Sequence, residues 1–382
     1  MHQLLNKIQI ENLNSVDLSS NKDIIFSRIV ELGLNAKKHG DLIIVKYDKD
    51  HKYSKEEYIR CSRGIIIDTT TKKIINASLD GGLDFEEFKN KVNFKDLVIE
   101  KALDGTMLNL YFYNDKWNIS TKFCTNAFES KFRSNKTFGQ LLSEVIDINS
   151  LKLDNKFSYS VLLQHTDNRI VSPLTENKVF HLESVNVITG EKVFQDIGLP
   201  TIDVLYFNGY KDNKINFNSY DELASYVNNL DWTIPGLMLY SNDRKWRCKL
   251  KNPNFDNVSN LLNNQINISY LALETFINPS KIDNWTKLIE FYPEYDDNLN
   301  NISNKYNEYL DKLLDYYIRC KVKPDREFID LPKQFKKSLV EVHNKYKSER
   351  SIGNHGYKIN RCEIDLILRK FDLPLLYSII TQ

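Results

Sequence analysis

The residues best suited to chemistry in this chain lie between Val98 and Tyr111. An apolar run passes there through Lys101-Ala102-Leu103-Asp104-Gly105-Thr106 into an aromatic segment, Leu110 to Tyr113. Asp-Gly between two strand-like runs is a hairpin signal, and such a hairpin offers an amine, a carboxylate and backbone amides to one pocket. Cations recur elsewhere along the chain. Arg63-Gly64 opens an isoleucine-rich run, Lys122 closes Ser120-Thr121-Lys122, and Lys249-Leu250-Lys251 places two lysines on one face of a strand, because strand side chains alternate with period two. Amines and guanidinium groups gathered in this way neutralise phosphate oxygens. Each stretch alone is ordinary: an Arg-Gly or Lys-x-Lys strand is usually a plain hairpin, and Asp-Gly is commonly only a turn.

The elements that must position these residues follow from periodicity. A helix is expected over Ile24 to Leu34, strands over Leu42 to Tyr47 and Arg63 to Asp68, and a return strand over Lys73 to Ser78. Asp84 to Lys91 reads as a short helix or turn. Beyond the Lys101–Gly105 hairpin, Lys116 to Cys124 reads as a strand and Phe132 to Ile148 as a helix, with Phe138, Leu141, Leu142 and Val145 at helical spacing. Phe157 to Leu163, Val179 to Val187 and Lys192 to Phe194 return to strand. A short helix over Asp221 to Asn228 precedes paired strands over Gly236 to Tyr240 and Trp246 to Leu250. Many hairpin-joined strands with interspersed helices indicate an α+β domain with antiparallel sheets. After Pro253 the pattern turns helical and rich in aromatics, with Leu310, Leu313, Leu314 and Tyr317 on one face. Two domains are expected, residues 1–255 and 256–382.

Bulk composition excludes several classes. With 52 Lys and Arg against 51 Asp and Glu, the net charge is +1, so any nucleic-acid footprint has to be a local basic groove. Cys61, Cys124, Cys248, Cys320 and Cys362 are scattered, without a Cys-x-x-Cys pair, which argues against a disulfide framework or structural zinc and fits a reducing compartment. The opening Met-His-Gln-Leu-Leu-Asn-Lys has no signal-peptide core, and no run approaches 18 apolar residues. The expectation is a cytoplasmic monomer without a membrane segment. Within the helical part, Glu290 to Asp315 leans acidic and Arg319 to Arg350 basic. The basic stretch reads either as a solvated face or as an RNA-contacting surface.

Taken in order, the motifs resemble those of the covalent nucleotidyltransferases, the superfamily of ATP-dependent ligases and mRNA capping enzymes. Arg63-Gly64 resembles the strand whose Arg reaches the nucleotide, and Ser120-Thr121-Lys122 the motif near ribose and phosphate. Asn168-Arg169-Ile170-Val171 resembles a signature of phage-type RNA ligases, and Lys249-Leu250-Lys251 the last motif, whose lysines face the α-phosphate. The helical C-terminal part, in place of a β-barrel, is similar to the tRNA-repair RNA ligases. The resemblance covers residues 40–255 by motif and the rest by architecture. It implies an α+β nucleotidyltransferase domain of two antiparallel sheets around an ATP groove, followed by an all-helical domain. It also implies ATP and Mg2+ as cofactors, and RNA 5′-phosphate and 3′-hydroxyl ends as partners, with tRNA among the candidates. The implied reaction runs through a lysyl-AMP intermediate. Arg63, Gly105, Lys122, Lys249 and Lys251 would bind nucleotide, and Asp104 would contact ribose or the metal shell; the metal ligands themselves are unknown.

The departures are as informative. Counting back from Asp104, the nucleophilic lysine's position is Ala102, with Lys101 one residue early. Leu162 stands where the family's third motif has Glu, with Gln164 nearby, and Pro235-Gly236 stands for its Glu-Gly; Glu87 falls where the family has a lysine. Three explanations for Ala102 stand side by side: a deliberate Lys-to-Ala change, a natural loss giving a non-catalytic nucleotide- or RNA-binding protein, or action by Lys101 itself. The last needs a bulge, since neighbouring strand residues face opposite ways. A capping-type guanylyltransferase is a third functional reading, disfavoured by the lack of an evident OB-fold. His165, beside Gln164 and Asp167, reads either as a substrate contact or as a structural or exposed histidine. His343 and His355 lack metal-ligand spacing, and the tyrosine-rich helices read most simply as packing.

Overall fold

A computed structural model of the chain describes residues 2–8, 18–48, 50, 54, 56–207, 214–322 and 330–382. The chain divides into two compact units, Met1–Ser259 and Asn260–Gln382. The division falls within a helix spanning Pro253–Leu262.

Among its described residues the first unit holds three antiparallel sheets. The first, in order β1-β2-β3-β4, comprises Asn35–His39 (β1), Leu42–Lys46 (β2), Arg63–Asp68 (β3) and Lys73–Asn76 (β4). The Leu-Ile-Ile-Val and Gly-Ile-Ile-Ile runs are buried on both faces. Ile43, Val45, Ile65 and Ile67 pack on one side with Leu4, Ile25 and Ile29, the latter two from helix Leu18–Glu31. Ile44 and Ile66 pack on the other with Tyr111. Each such side chain contributes about 1.5–3 kcal/mol on burial, so a one-residue slip, which would exchange the two faces, is strongly opposed.

Leu97–Lys101 (β5) and Thr106–Tyr113 (β6) flank the Ala102–Gly105 segment, and they lie in different sheets. The second sheet runs β10-β9-β8-β6-β7, with Lys116–Ser120 (β7), Phe157–Gln164 (β8), Lys178–Asn186 (β9) and Lys192–Val193 (β10). The third runs β11-β5-β12-β13, with Val204–Phe207 (β11), Gly236–Ser241 (β12) and Arg247–Lys251 (β13). The expected hairpin therefore does not form. Both edges of β5 are taken by β11 and β12, and both edges of β6 by β7 and β8. Residues 102–105 instead cross from one sheet to the other. The two sheets expected around a groove are these two, and β1–β4 add a third.

Each of these sheets has its own apolar backing. Leu108, Leu110, Tyr159 and Val161 pack against Leu141 and Leu142 of helix Phe138–Ser143, where Thr137 and Gln140 form a capping box. This helix is much shorter than the expected 132–148. Its entry is set by that cap, and Asp147 caps a separate 3-10 turn, Ile148–Ser150. Ile99, Leu237 and Leu239 pack with Phe88 of helix Phe85–Lys91 and Leu223 and Val227 of helix Tyr220–Asn228.

The second unit is helical: Ile268–Ile277, Ile282–Phe291, Asp296–Tyr317, Lys333–Ser351, Arg361–Leu368 and Leu373–Thr381. Leu310, Leu313 and Tyr317 are buried as their spacing implied, joined by Tyr306 and Tyr309. The Tyr306 hydroxyl donates to Asp365 at 2.7 Å and the Tyr309 hydroxyl to the Gln334 carbonyl at 2.8 Å. These aromatics are packing groups. Helix Lys333–Ser351 buries Phe335, Leu339 and Val342 and leaves Lys333, Lys337 and Lys347 exposed. Lys323 and Arg326 of the expected basic run lie outside the described residues.

Gly236 begins β12 at φ +122°, and a Cβ there would stand 2.1 Å from the Leu250 carbonyl oxygen. Since a left-handed non-Gly residue costs about 1–3 kcal/mol before any clash, Gly236→Ala is expected to destabilise the first unit by about 3 kcal/mol. Denaturant unfolding would measure this, and an unchanged midpoint would contradict the close approach.

Candidate functional site

The crossing segment lines a cavity of about 410 Å3. Ala102, Leu103 and Gly105 form part of one wall, β12 and β13 another, and Tyr47, Arg63, Gly81 and Gly82 come from the first sheet and the chain after it. The cations collect here: Arg63, Arg247, Lys249 and Lys251 all line it. A larger cavity, about 860 Å3, lies beside the β6–β7 turn and is lined by none of Arg63, Ala102, Asp104, Gly105, Lys122, Lys249 and Lys251.

Register explains the gathering. In β12–β13, Gly236 pairs Lys251, Met238 pairs Lys249 and Tyr240 pairs Arg247. Paired residues share a face, so Arg247, Lys249, Lys251, Met238 and Tyr240 all face the cavity. Arg247 was missed in the motif reading, although it stands two residues before Lys249 in the same alternation. Lys122 does not line the cavity; its amine lies 4.6 Å from the ring centroid of Tyr47, which does.

Lys101 and Asp104 stand elsewhere than the motif suggested. Lys101 pairs Leu237 across β5–β12, on the face opposite Met238, and lines a separate opening with Asp104 and Gln164. No bulge re-aims it: the β5–β12 register is regular to its end. Asp104 is held by the backbone. Its Oδ2 accepts from the Val171 and Ser172 amides, each at 2.8 Å, while the Gln164 side chain donates to its carbonyl at 2.7 Å. Asn168 donates to the Thr106 hydroxyl at 3.0 Å. Asp104 thus anchors the Asn168–Ser172 loop to the crossing segment and lines the opening it shares with Lys101, not the cavity. Gly105 is confined too: a Cβ would lie 2.6 Å from the Leu163 carbonyl oxygen.

The electrostatics are lopsided. Burial, followed by the neighbouring Arg247, lowers the Arg63 pKa to about 10. The Arg247 Nε–H finds no acceptor among the described residues. Nearby carboxylates are already engaged. Asp80 meets Lys192 at 2.7 Å; burial works to raise its pKa, but Lys192 outweighs it and holds the carboxyl below its usual range. Glu183, raised chiefly by burial, has the same lysine at 3.9 Å, and Glu100 pairs with Arg244.

The residues present do not fit Mg2+. Asp256 is the carboxylate lining the cavity, and it meets Lys251 at 3.2 Å. Leu162 lines the wall in place of the expected Glu. A magnesium ion is normally held by one or two carboxylates along with substrate oxygens. Among the described residues, Glu144, His165 and Asp167 could converge on a metal, but they lie outside this cavity, and Lys136 bridges the two carboxylates at 2.9 and 2.8 Å. His165 is buried, with Nδ1 accepting from the Asp167 amide at 3.1 Å. It is a structural residue. Glu87 sits in helix Phe85–Lys91, away from the cavity lining.

No family model matches the chain. It is 24% identical over 286 residues to the immediate-early protein ICP-46 homolog of Invertebrate iridescent virus 6, covering 69% of this chain and 62% of that protein. It is 25% identical over 241 residues to the putative bifunctional polynucleotide kinase/RNA ligase of Autographa californica nuclear polyhedrosis virus, covering 55% and 32%. With the RNA ligase of Rhodothermus phage RM378 it shares 24% over 236 residues, 52% of each. The chain is thus similar in sequence to viral and phage proteins that include RNA ligases. It spans from about a third to three fifths of the length of these relatives. Among solved structures, a putative ATP-dependent DNA ligase from Aquifex aeolicus superposes with a TM-score of 0.43 at 12% identity, over 76% of this chain and 80% of that one. The Naegleria gruberi RNA ligase solved with PPi gives 0.33 at 9%, over 44% and 53%. These structural likenesses are too weak to carry an argument. No helix among the described residues is long and apolar enough to cross a membrane.

If Asp104 is an anchor, Asp104→Ala should cost about 2–3 kcal/mol, since removing an acceptor strands two partly buried donors. It should also speed hydrogen exchange at the Val171 and Ser172 amides. Thermal unfolding and amide exchange would measure both, and unchanged values would return Asp104 to a ligand-contacting role.

Proposed function

We propose that the cavity is a ligase-type nucleotide site, and that the chain as it stands binds ATP there without forming a covalent adduct. The observation that carries this reading is the gathering of Arg63, Arg247, Lys249 and Lys251 around a wall that includes Ala102. Four cations facing one carboxylate suit a phosphate-rich ligand. Covalent transfer needs a neutral amine to attack the α-phosphorus and expel pyrophosphate. Ala102 has none, and Lys101 points to the other face of its sheet.

In the ancestral reaction, a lysine at position 102 would be adenylylated and AMP would pass to an RNA 5′-phosphate. A 3′-hydroxyl would then attack, sealing the ends and releasing AMP. The crossing segment supports this second reading, because it brings position 102 to the cavity with the cations opposite. RNA ends, tRNA among them, are the partners it implies, with the exposed lysines of helix Lys333–Ser351 as a candidate contact surface.

Incubation with α-labelled ATP and Mg2+, followed by denaturing electrophoresis, separates the two readings. The unaltered chain and Lys101→Ala should both remain unlabelled, whereas Ala102→Lys should acquire label if the site retains ligase chemistry. Binding without label in every variant would leave a nucleotide-binding protein. Label on the unaltered chain that is lost in Lys101→Ala would overturn the assignment of position 102.

A further inference from the structure

Resting on the nucleotide reading of this cavity, we infer that Arg63 and Arg247 supply the charge compensation that a divalent ion would otherwise provide, so that the nucleotide binds as the metal-free anion. The donor set points this way. A nucleoside triphosphate ordinarily enters a protein with a metal ion spanning its phosphate oxygens, and the protein holds the ion through carboxylates. Here the lining positions that could carry such carboxylates are apolar or engaged: Leu162 is a hydrocarbon wall, and Asp256 meets Lys251 at 3.2 Å.

The positive charge, by contrast, exceeds what folding requires. Two guanidinium groups lining one cavity repel each other, and the Arg247 Nε–H is buried without an acceptor among the described residues. Burying a donor unpaired is unfavourable. That cost would be recovered if a ligand oxygen accepted from it. The carboxylates that interact with Arg247, Asp80 and Glu183, also share Lys192. A guanidinium offers planar, bidentate donors to phosphate and carries its charge permanently, whereas a metal must first give up water. A chelated metal would also lower the ligand's negative charge and so weaken its attraction to four cations.

Isothermal titration of the unaltered full chain with ATP, in excess EDTA and in excess Mg2+, tests the inference directly. The affinity is expected to be equal in the two buffers or several-fold weaker with Mg2+. Arg247→Ala should weaken binding in EDTA by about tenfold or more, and Arg247→Lys, which keeps the charge but loses the fork, by less. Lys245→Ala, in the same β12–β13 hairpin but outside the cavity, should be silent. Circular dichroism would verify folding, and if Arg247→Ala fails to fold, Arg247→Lys and the two-buffer comparison on the unaltered chain still decide. Binding that demands Mg2+ would overturn the inference and leave the nucleotide reading standing. Full affinity in both Arg247 variants would also overturn it. Absence of binding in both buffers would instead remove the nucleotide reading itself.

Discussion

The architecture of the first unit depends on one crossing. Residues 102–105 leave β5 in one sheet and enter β6 in another, and the space beneath that step is the cavity. Three contacts hold the step in place. The Ala102 amide donates to the Gly236 carbonyl at 3.2 Å, Asp104 accepts two amides from the Val171–Ser172 loop, and Gly105 lies too close to the Leu163 carbonyl for any side chain. Each contact ties the crossing to a different neighbour, namely β12, the loop after β8, and β8 itself. A shift of the segment would therefore have to break all three.

Around that crossing the cations are placed by strand alternation rather than by individual anchors. Arg247, Lys249 and Lys251 share a face because β13 is regular, and Arg63 joins them from the first strand residue of β3. Sharing a face is also what separates Lys101 from the cavity. A residue one step from position 102 is directed to the opposite side, and the β5–β12 register stays regular to its end; the one shift beside β5 falls on β11, between Val204 and Tyr206. The mismatch between the visible lysine and the motif is thus a matter of geometry as well as counting.

The same site shows an imbalance between the groups that would hold a ligand and those that would react with it. Cations are present, but the amine at 102 and the carboxylates at 162 and 235 are absent together. In the nucleotidyltransferases that the motifs resemble, those three positions would serve the reaction and its metal, and the cations would hold phosphates. On the function proposed above, keeping the second set without the first leaves the means to bind without the means to transfer. The helical unit adds a packed aromatic core, in which Tyr306 and Tyr309 satisfy their buried hydroxyls on Asp365 and Gln334.

Much of this was legible in the sequence by itself. Period-two alternation placed Lys249 and Lys251 on one face, the isoleucine runs marked β2 and β3 as buried, and the turn to helical spacing after Pro253 separated the two parts of the chain. These are local properties, carried by side-chain spacing alone. Only the tertiary structure decided that the Asp-Gly segment is a crossing rather than a hairpin, because that depends on which strands occupy the edges of β5 and β6. It alone showed that Asp104 anchors a loop, since the amides from which its Oδ2 accepts come from more than sixty positions along the chain. Arg247 entered the site for the same reason. Its alternation with Lys249 could be read locally, but its proximity to Arg63, 184 residues earlier by number, arises only when the sheets close around one cavity.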